Sequence, residues 1–163
     1  MPSLSSRELV QKWLSGSTSD PIIKILVKSS NLTKTQLETL LIDFLAPNVS
    51  GKSLTNQEKA LLRLTKAGIS RGAFNHTLKQ ARRNIIQSMY TIILLGYLGL
   101  FEDTRLDPYL EVASKLKEYI GAYKDVLSNN ELSSENLRII TMLREELEGT
   151  LEKLSTSRAL SKA

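Results

Sequence analysis

Phe74, Leu78, Ala81 and Ile85 recur at intervals of four, three and four, and the chain then runs apolar from Ile85 to Phe101. The interval places four side chains on one helical face. The run that follows carries the same helix on toward Tyr97, so the sequence commits itself to one long central helix. Gln87, Ser88, Tyr90, Thr91, Gly96, Tyr97 and Gly99 interrupt the run, which is near the short limit for a membrane span. Because it follows directly from an amphipathic helix, it is expected to be a buried central helix, not a membrane span.

Every other clear segment also reads helical, and alternating strand patterns and Asn-Gly or Asp-Gly hairpin signals are missing. Ser5 with Glu8 forms a capping box for a helix carrying Leu9, Val10, Leu14 and a core anchor, Trp13. Gly16 to Ser19 reads as a break. Asp20-Pro21 starts a short helix to Lys28. Thr33 with Gln36 opens a helix over Lys34 to Leu45 that buries Leu37, Leu40, Leu41 and Phe44, with Pro47 as its stop. Thr55 with Glu58 opens a helix over Asn56 to Ala67, closed by Gly68 as a left-handed cap. Ser70 caps the central helix, in which Gly96 and Gly99 permit a break or close crossing.

Asp107-Pro108 begins a helix with the line Tyr109, Ala113, Leu116, Ile120, Tyr123 and Leu127. Ser128 to Asn130 is a turn, Leu132, Ser133 and Leu137 form a cap and staple, and the last helix carries Leu137, Ile140, Leu143, Leu147, Leu151 and Leu154. These two helices form an antiparallel hairpin or a coiled coil, either within one chain or across a homodimer. The expected fold is all-α: a helical domain over 1–101, a helical hairpin over 102–155 that is a candidate dimerisation element, and a frayed tail over 156–163.

The 163 residues, 41% hydrophobic, suffice for a core, and there is no cysteine for a disulfide or thiolate metal site. The single histidine, His76, excludes a multi-histidine metal cluster within one chain. The N-terminus lacks a signal-peptide pattern, and a cytoplasmic protein without cofactor or metal is expected. Gly51-Lys52-Ser53 lacks the upstream glycine of a phosphate loop, and the acids are scattered, so no enzyme is expected. Net charge is +5, unevenly spread: +1 over 1–50, +7 over 51–101 and −3 over 102–163. A positive concentration of this kind is the footprint of a polyanion-binding region.

Gly-Ile-Ser-Arg-Gly-Ala-Phe-Asn-His-Thr-Leu-Lys-Gln-Ala, from Gly68 to Ala81, lies inside that basic segment. It resembles the turn and recognition helix of the helix-turn-helix superfamily, as in bacterial and archaeal regulators and sigma-factor-type modules. The matching positions are Gly68, Ile69, Ser70, Phe74, Leu78 and Ala81, and the resemblance covers about Thr55 to Ile85. It departs at Gly72, where such modules more often have Ser or Thr. The resemblance implies that Arg71, Gly72, Asn75, His76 and Lys79 face a DNA groove. Lys59, Arg63 and Lys66, spaced four and three, form a basic stripe on the preceding helix, which would cross the phosphate backbone.

The expected function is double-stranded DNA binding in transcription regulation, as a homodimer through the C-terminal helices. Arg71, Gly72, Asn75 and His76 are the base-proximal set. Lys59, Arg63, Lys66, Lys79, Arg82 and Arg83 are the phosphate set, and neutralising six phosphates gives a log–log salt slope of about −5. The alternative is a helical adaptor or accessory subunit of a nucleic-acid machine, binding RNA, single-stranded DNA or an acidic protein surface. Tyr90 and Tyr97 are expected to pack in the core.

Overall fold

The structure, a computed structural model, describes residues 5–102, 106–128 and 134–156. Among these residues it is all-helical: α1 (Ser6–Ser19), α2 (Pro21–Lys28), α3 (Lys34–Ser50), α4 (Asn56–Leu61), α5 (Arg71–Tyr97), α6 (Asp107–Ser128) and α7 (Ser134–Leu154), with a 3-10 turn at Leu100–Glu102. The chain divides into two compact units, Met1–Ile93 and Leu94–Ala163, where the sequence suggested a division after residue 101. The expected turn at 129–130, the cap at Leu132 and Ser133, and the tail over 157–163 lie outside the described residues.

In the first unit the helix starts follow the sequence. Ser5, Asp20, Thr33 and Thr55 each accept a hydrogen bond from a backbone N–H of the helix they precede, and Pro21 occupies the first turn of α2. The helix ends follow it only at α2, which stops at Lys28 as expected; α1, α3 and α4 end elsewhere. The break expected at Gly16–Ser19 is helix, and Thr18 there donates back to the Leu14 carbonyl at 2.9 Å. Pro47 does not stop α3, which runs on to Ser50 and ends on Gly51 in the left-handed region. A proline removes one backbone donor, and the enclosed Ala46 and half-buried Pro47 hold the helix together past that loss.

The core joins Val10 and Leu14 of α1, Leu40, Ile42 and Ala46 of α3, Ala60 of α4, Leu62, and Phe74, Leu78 and Ala81 of α5, with Trp13, Ile69 and Ile85 packed against it. The face of α3 is rotated from the expected one. Phe44 is exposed, Leu37 and Leu41 are only partly buried, and Ile42, Thr39 and Glu38 point inward. The apolar run after Ile85 is not a buried central helix. The core reaches no further along α5 than Ile85, and Ile86, Met89, Tyr90, Ile92 and Ile93 are all more than half exposed. No helix among the described residues is long and apolar enough to cross a membrane.

α4 ends at Leu61, six residues short of the expected end, and a connection over 62–70 replaces the tight turn. Gly68 does take positive φ, +73°. Its effect is to bring the chain back against the end of α4, where the Ile69 N–H donates to the Ala60 carbonyl at 3.0 Å. A Cβ at Gly68 would stand 2.8 Å from the Leu61 Cα and 2.9 Å from the Ala60 oxygen.

In the second unit α6 and α7 pack on each other within the chain. Val112, Ile140 and Leu147 are buried between them, and the Tyr109 hydroxyl donates to the Leu154 carbonyl at 2.9 Å. The seam of α6 runs through Val112, with Ala113 exposed and Ile120 about half exposed, so it is turned from the expected line. Lys115 bridges to Glu146 at 2.8 Å and Glu111 at 3.3 Å. Tyr97 is exposed, contrary to expectation, and the Phe101 ring lies so close to Gly96 that a Cβ there would meet it at 2.9 Å.

Two measurements check this fold. Gly68→Ala should lower the stability by about 2–4 kcal/mol in urea unfolding, since it adds a backbone clash to the left-handed penalty. Gly51→Ala, with φ +69° but open space around it, should cost only about 1 kcal/mol. Second, the Thr55 N–H and hydroxyl both donate to Glu58 at 2.8 Å, and the backbone bond is the larger cause holding that carboxyl below its ordinary value. Its contribution is present above the unfolded value and is lost as pH falls through the folded one. A carboxyl-detected titration should place Glu58 below an ordinary exposed glutamate, and Glu58→Gln should remove part of the acid-limb slope.

Candidate nucleic-acid interface

The first three turns of α5 sort their side chains by helical geometry. The Ser70 hydroxyl accepts from the Ala73 N–H at 3.2 Å and starts the helix. Phe74, Leu78 and Ala81 are then enclosed, while Arg71, Gly72, His76, Lys79, Arg82 and Arg83 are exposed. α5 carries four cations and no acid along its 27 residues. Asn75 is partly buried, and its Oδ1 accepts from the Asn56 Nδ2 at 2.9 Å, which ties α5 to the start of α4. Three of the base-proximal residues therefore face solvent, and the fourth has an intramolecular partner.

The expected basic stripe on α4 is overturned, because the helix stops before two of its three members. Arg63 and Lys66 lie in the 62–70 connection, and only Lys59 is helical. Arg63 is 6% exposed and is withdrawn from the phosphate set. Its Nε lies 2.9 Å from the Glu38 Oε1, close enough for an ion pair although not aligned as a hydrogen bond. Its Nη1 donates to the Thr39 hydroxyl at 2.8 Å, and that hydroxyl donates on to the Thr35 carbonyl. The Leu64 N–H donates to the same Glu38 oxygen, and Gln11 of α1 donates to the Arg63 carbonyl at 3.3 Å.

A second carboxylate draws two more cations inward. Asp43, itself nearly buried, accepts from Lys59 Nζ at 2.8 Å and from Arg82 Nη2 at 2.7 Å. Lys59 is largely enclosed by this contact, whereas half of Arg82 stays exposed. Lys66, Lys79 and Arg83 are exposed, as the phosphate set requires. Beside them a groove of about 560 Å³ is lined by Asn56, Asn75, Leu78, Lys79, Arg82, Arg83, Ile86 and Gln87. It combines three cations, amide groups and two apolar side chains, a mixture suited to an anionic ligand with flat apolar faces.

Glu38, Thr39 and Asp43 had no place in the sequence reading. Part of the signal was present but masked: Thr39, Ile42 and Ala46 step by three and four on the buried face, the polar Thr39 broke its apolar appearance, and Glu38 and Asp43 stand beside Thr39 and Ile42 in the chain. Among the described residues no group of three His, Asp or Glu side chains is placed to hold a metal ion.

The buried pair makes a direct prediction. Arg63→Met strands the Glu38 carboxylate and the Thr39 hydroxyl and should cost about 3–5 kcal/mol in urea unfolding. Adding Glu38→Leu to that variant should recover part of the loss, because both charges then leave the interior together. Comparison of the chain with protein-family models, with curated proteins and with solved structures finds no match in any of the three.

Proposed function

We propose that this protein is a non-enzymatic binder of duplex DNA, working through the exposed side of α5 from Arg71 to Arg83. One observation carries the reading: a helix with four cations and no acid presents Arg71, Lys79 and Arg83 to solvent, with no acid paired to them among the described residues. A mixed-sign face would bind no polyanion in preference to water and salt, whereas a single-sign face releases counterions on contact with a phosphate backbone. The resemblance of Gly68–Ala81 to a helix-turn-helix unit agrees with this use and supplies transcription regulation as its setting. The docking differs from that resemblance in one respect. The connection over 62–70 sets the entry of α5, and the phosphate contacts come from α5 and Lys66 without help from α4.

The contact set is smaller than the charge count of the segment. Lys59 and Arg63 are engaged by Asp43 and Glu38, and Arg82 is shared with Asp43. Of the phosphate set Lys66, Lys79 and Arg83 are left, and Arg71, exposed in the first turn of α5 and counted above with the base-proximal residues, is taken here as a fourth phosphate contact. Fluorescence anisotropy with a labelled duplex should therefore give a log–log salt slope of about −4. Lys79→Ala with Arg83→Ala should weaken binding about tenfold to a hundredfold and reduce the slope by about 2, while Lys59→Ala should leave the slope unchanged. Salt-insensitive binding, or binding indifferent to the Lys79 and Arg83 pair, would sink the proposal. Tighter binding to single strands or RNA would favour an accessory subunit of a nucleic-acid machine instead.

A further inference from the structure

The second half of α5 carries an apolar stripe that the core does not use. Ile86, Met89, Tyr90 and Ile93 are 53%, 57%, 68% and 63% exposed. Their spacing, i, i+3, i+4 and i+7, aligns them on one side of the helix, roughly a third of a turn away from the Phe74, Leu78, Ala81 and Ile85 face. The helix is held so that this stripe stays outside. Asn84 Nδ2 donates to the Asn31 carbonyl at 2.7 Å, and Asn31 Nδ2 donates to the Ser88 hydroxyl at 3.0 Å, pinning α5 to the α2–α3 loop up to Ser88.

We propose that the stripe is an interface for a second copy of this chain, paired antiparallel across a two-fold axis between Met89 and Tyr90. The pattern itself selects a second copy. In an antiparallel pair about that axis Ile86 of one copy meets Ile93 of the other and Met89 meets Tyr90, so the stripe is its own complement. From Asn84 to Phe101 the chain has no charged residue, so no charge is buried along the seam. Charge selects the direction. A parallel pair would set the Arg82 and Arg83 side chains of both copies beside each other, and an antiparallel pair sends them to opposite ends.

The area agrees. The four side chains expose on the order of 500 Å² per copy, the size of patch that marks an interaction site. Two copies that cover the stripe fully bury about 1,000 Å², at the lower limit for a specific interface. The i, i+3, i+4, i+7 pattern is the seam by which one helix packs on another. This interface is separate from the α6–α7 seam, which is filled within the chain, and it does not depend on the nucleic-acid reading.

The test uses the full chain in sedimentation equilibrium from about 1 to 200 µM, together with single-cysteine cross-linking in a protein that has no native cysteine. The expected result is a monomer–dimer equilibrium. Tyr90→Lys with Ile93→Lys should raise its dissociation constant at least tenfold, with helical circular dichroism and the urea midpoint unchanged. On mild oxidation Met89→Cys, next to the two-fold axis, should give a covalent dimer. Met142→Cys, exposed on α7, should not. A chain that is monomeric over the whole range overturns the proposal. So does a dimer that withstands the lysine pair, or one that cross-links through Met142→Cys and not through Met89→Cys. If the lysine pair unfolds the protein, the two cysteine chains decide alone.

Discussion

The first unit is organised around a carboxylate and a guanidinium taken out of water together. Removing Glu38 and Arg63 from solvent is costly, and their mutual attraction offsets that cost only when the remaining donors and acceptors also find partners. Here they do, through Thr39, the Leu64 N–H and the chain of contacts from Gln11 and Thr35. The result reaches beyond the pair. The residues gathered around it come from α1, α3 and the 62–70 connection, so the path of the chain between α4 and α5 is fixed by hydrogen bonds to two other helices. The direction in which α5 leaves the core follows from that path.

Asp43 extends the same logic to the surface. It faces Lys59 and Arg82 from a third helix, and with Glu38 it places negative charge from the near-neutral first fifty residues beneath the most basic segment. Charge summed along the sequence is therefore a poor guide to charge on a face. The +7 of residues 51–101 overstates the charge this segment exposes, since two of its cations serve the interior and a third is shared. What is left is more localised and better placed: a short single-sign patch on one helix beside a groove, not a stripe spread over two.

The parts of this architecture legible in the sequence are those set by local chemistry. Ser5, Asp20, Thr33, Thr55 and Ser70 cap the helices they precede because a side-chain oxygen next to free N–H groups acts without help from the fold. The Phe74–Ile85 face is likewise legible, being apolar and strictly periodic. The ends of α3 and α4 were not, since α3 runs through Pro47 and α4 stops well before Gly68, which keeps its left-handed conformation but serves a connection tied to partners far along the chain. The inward face of α3 was hidden because Glu38 and Thr39 are polar, and a periodicity search treats a polar residue as outward until its partner is known. For the candidate site, the exposure of Arg71, His76, Lys79 and Arg83 could be read from helical spacing. The inward turn of Lys59 and Arg63 needed a third helix that no local pattern announces.

Most of the 62–70 connection reads as helix in the sequence, and beyond its local bonds three of its backbone groups are committed to more distant partners: the Leu64 and Ile69 N–H groups and the Arg63 carbonyl. Loops usually absorb insertions because their length is slack. This one has no slack to absorb them. One added residue would slide Arg63, Leu64 or Ile69 off its partner, whereas the stretch over 51–55 has no comparable long-range ties among the described bonds. Lineages of this chain would thus vary in length between α3 and α4 and hold the α4–α5 spacing constant, a signature of inheritance set by a loop and not by a helix.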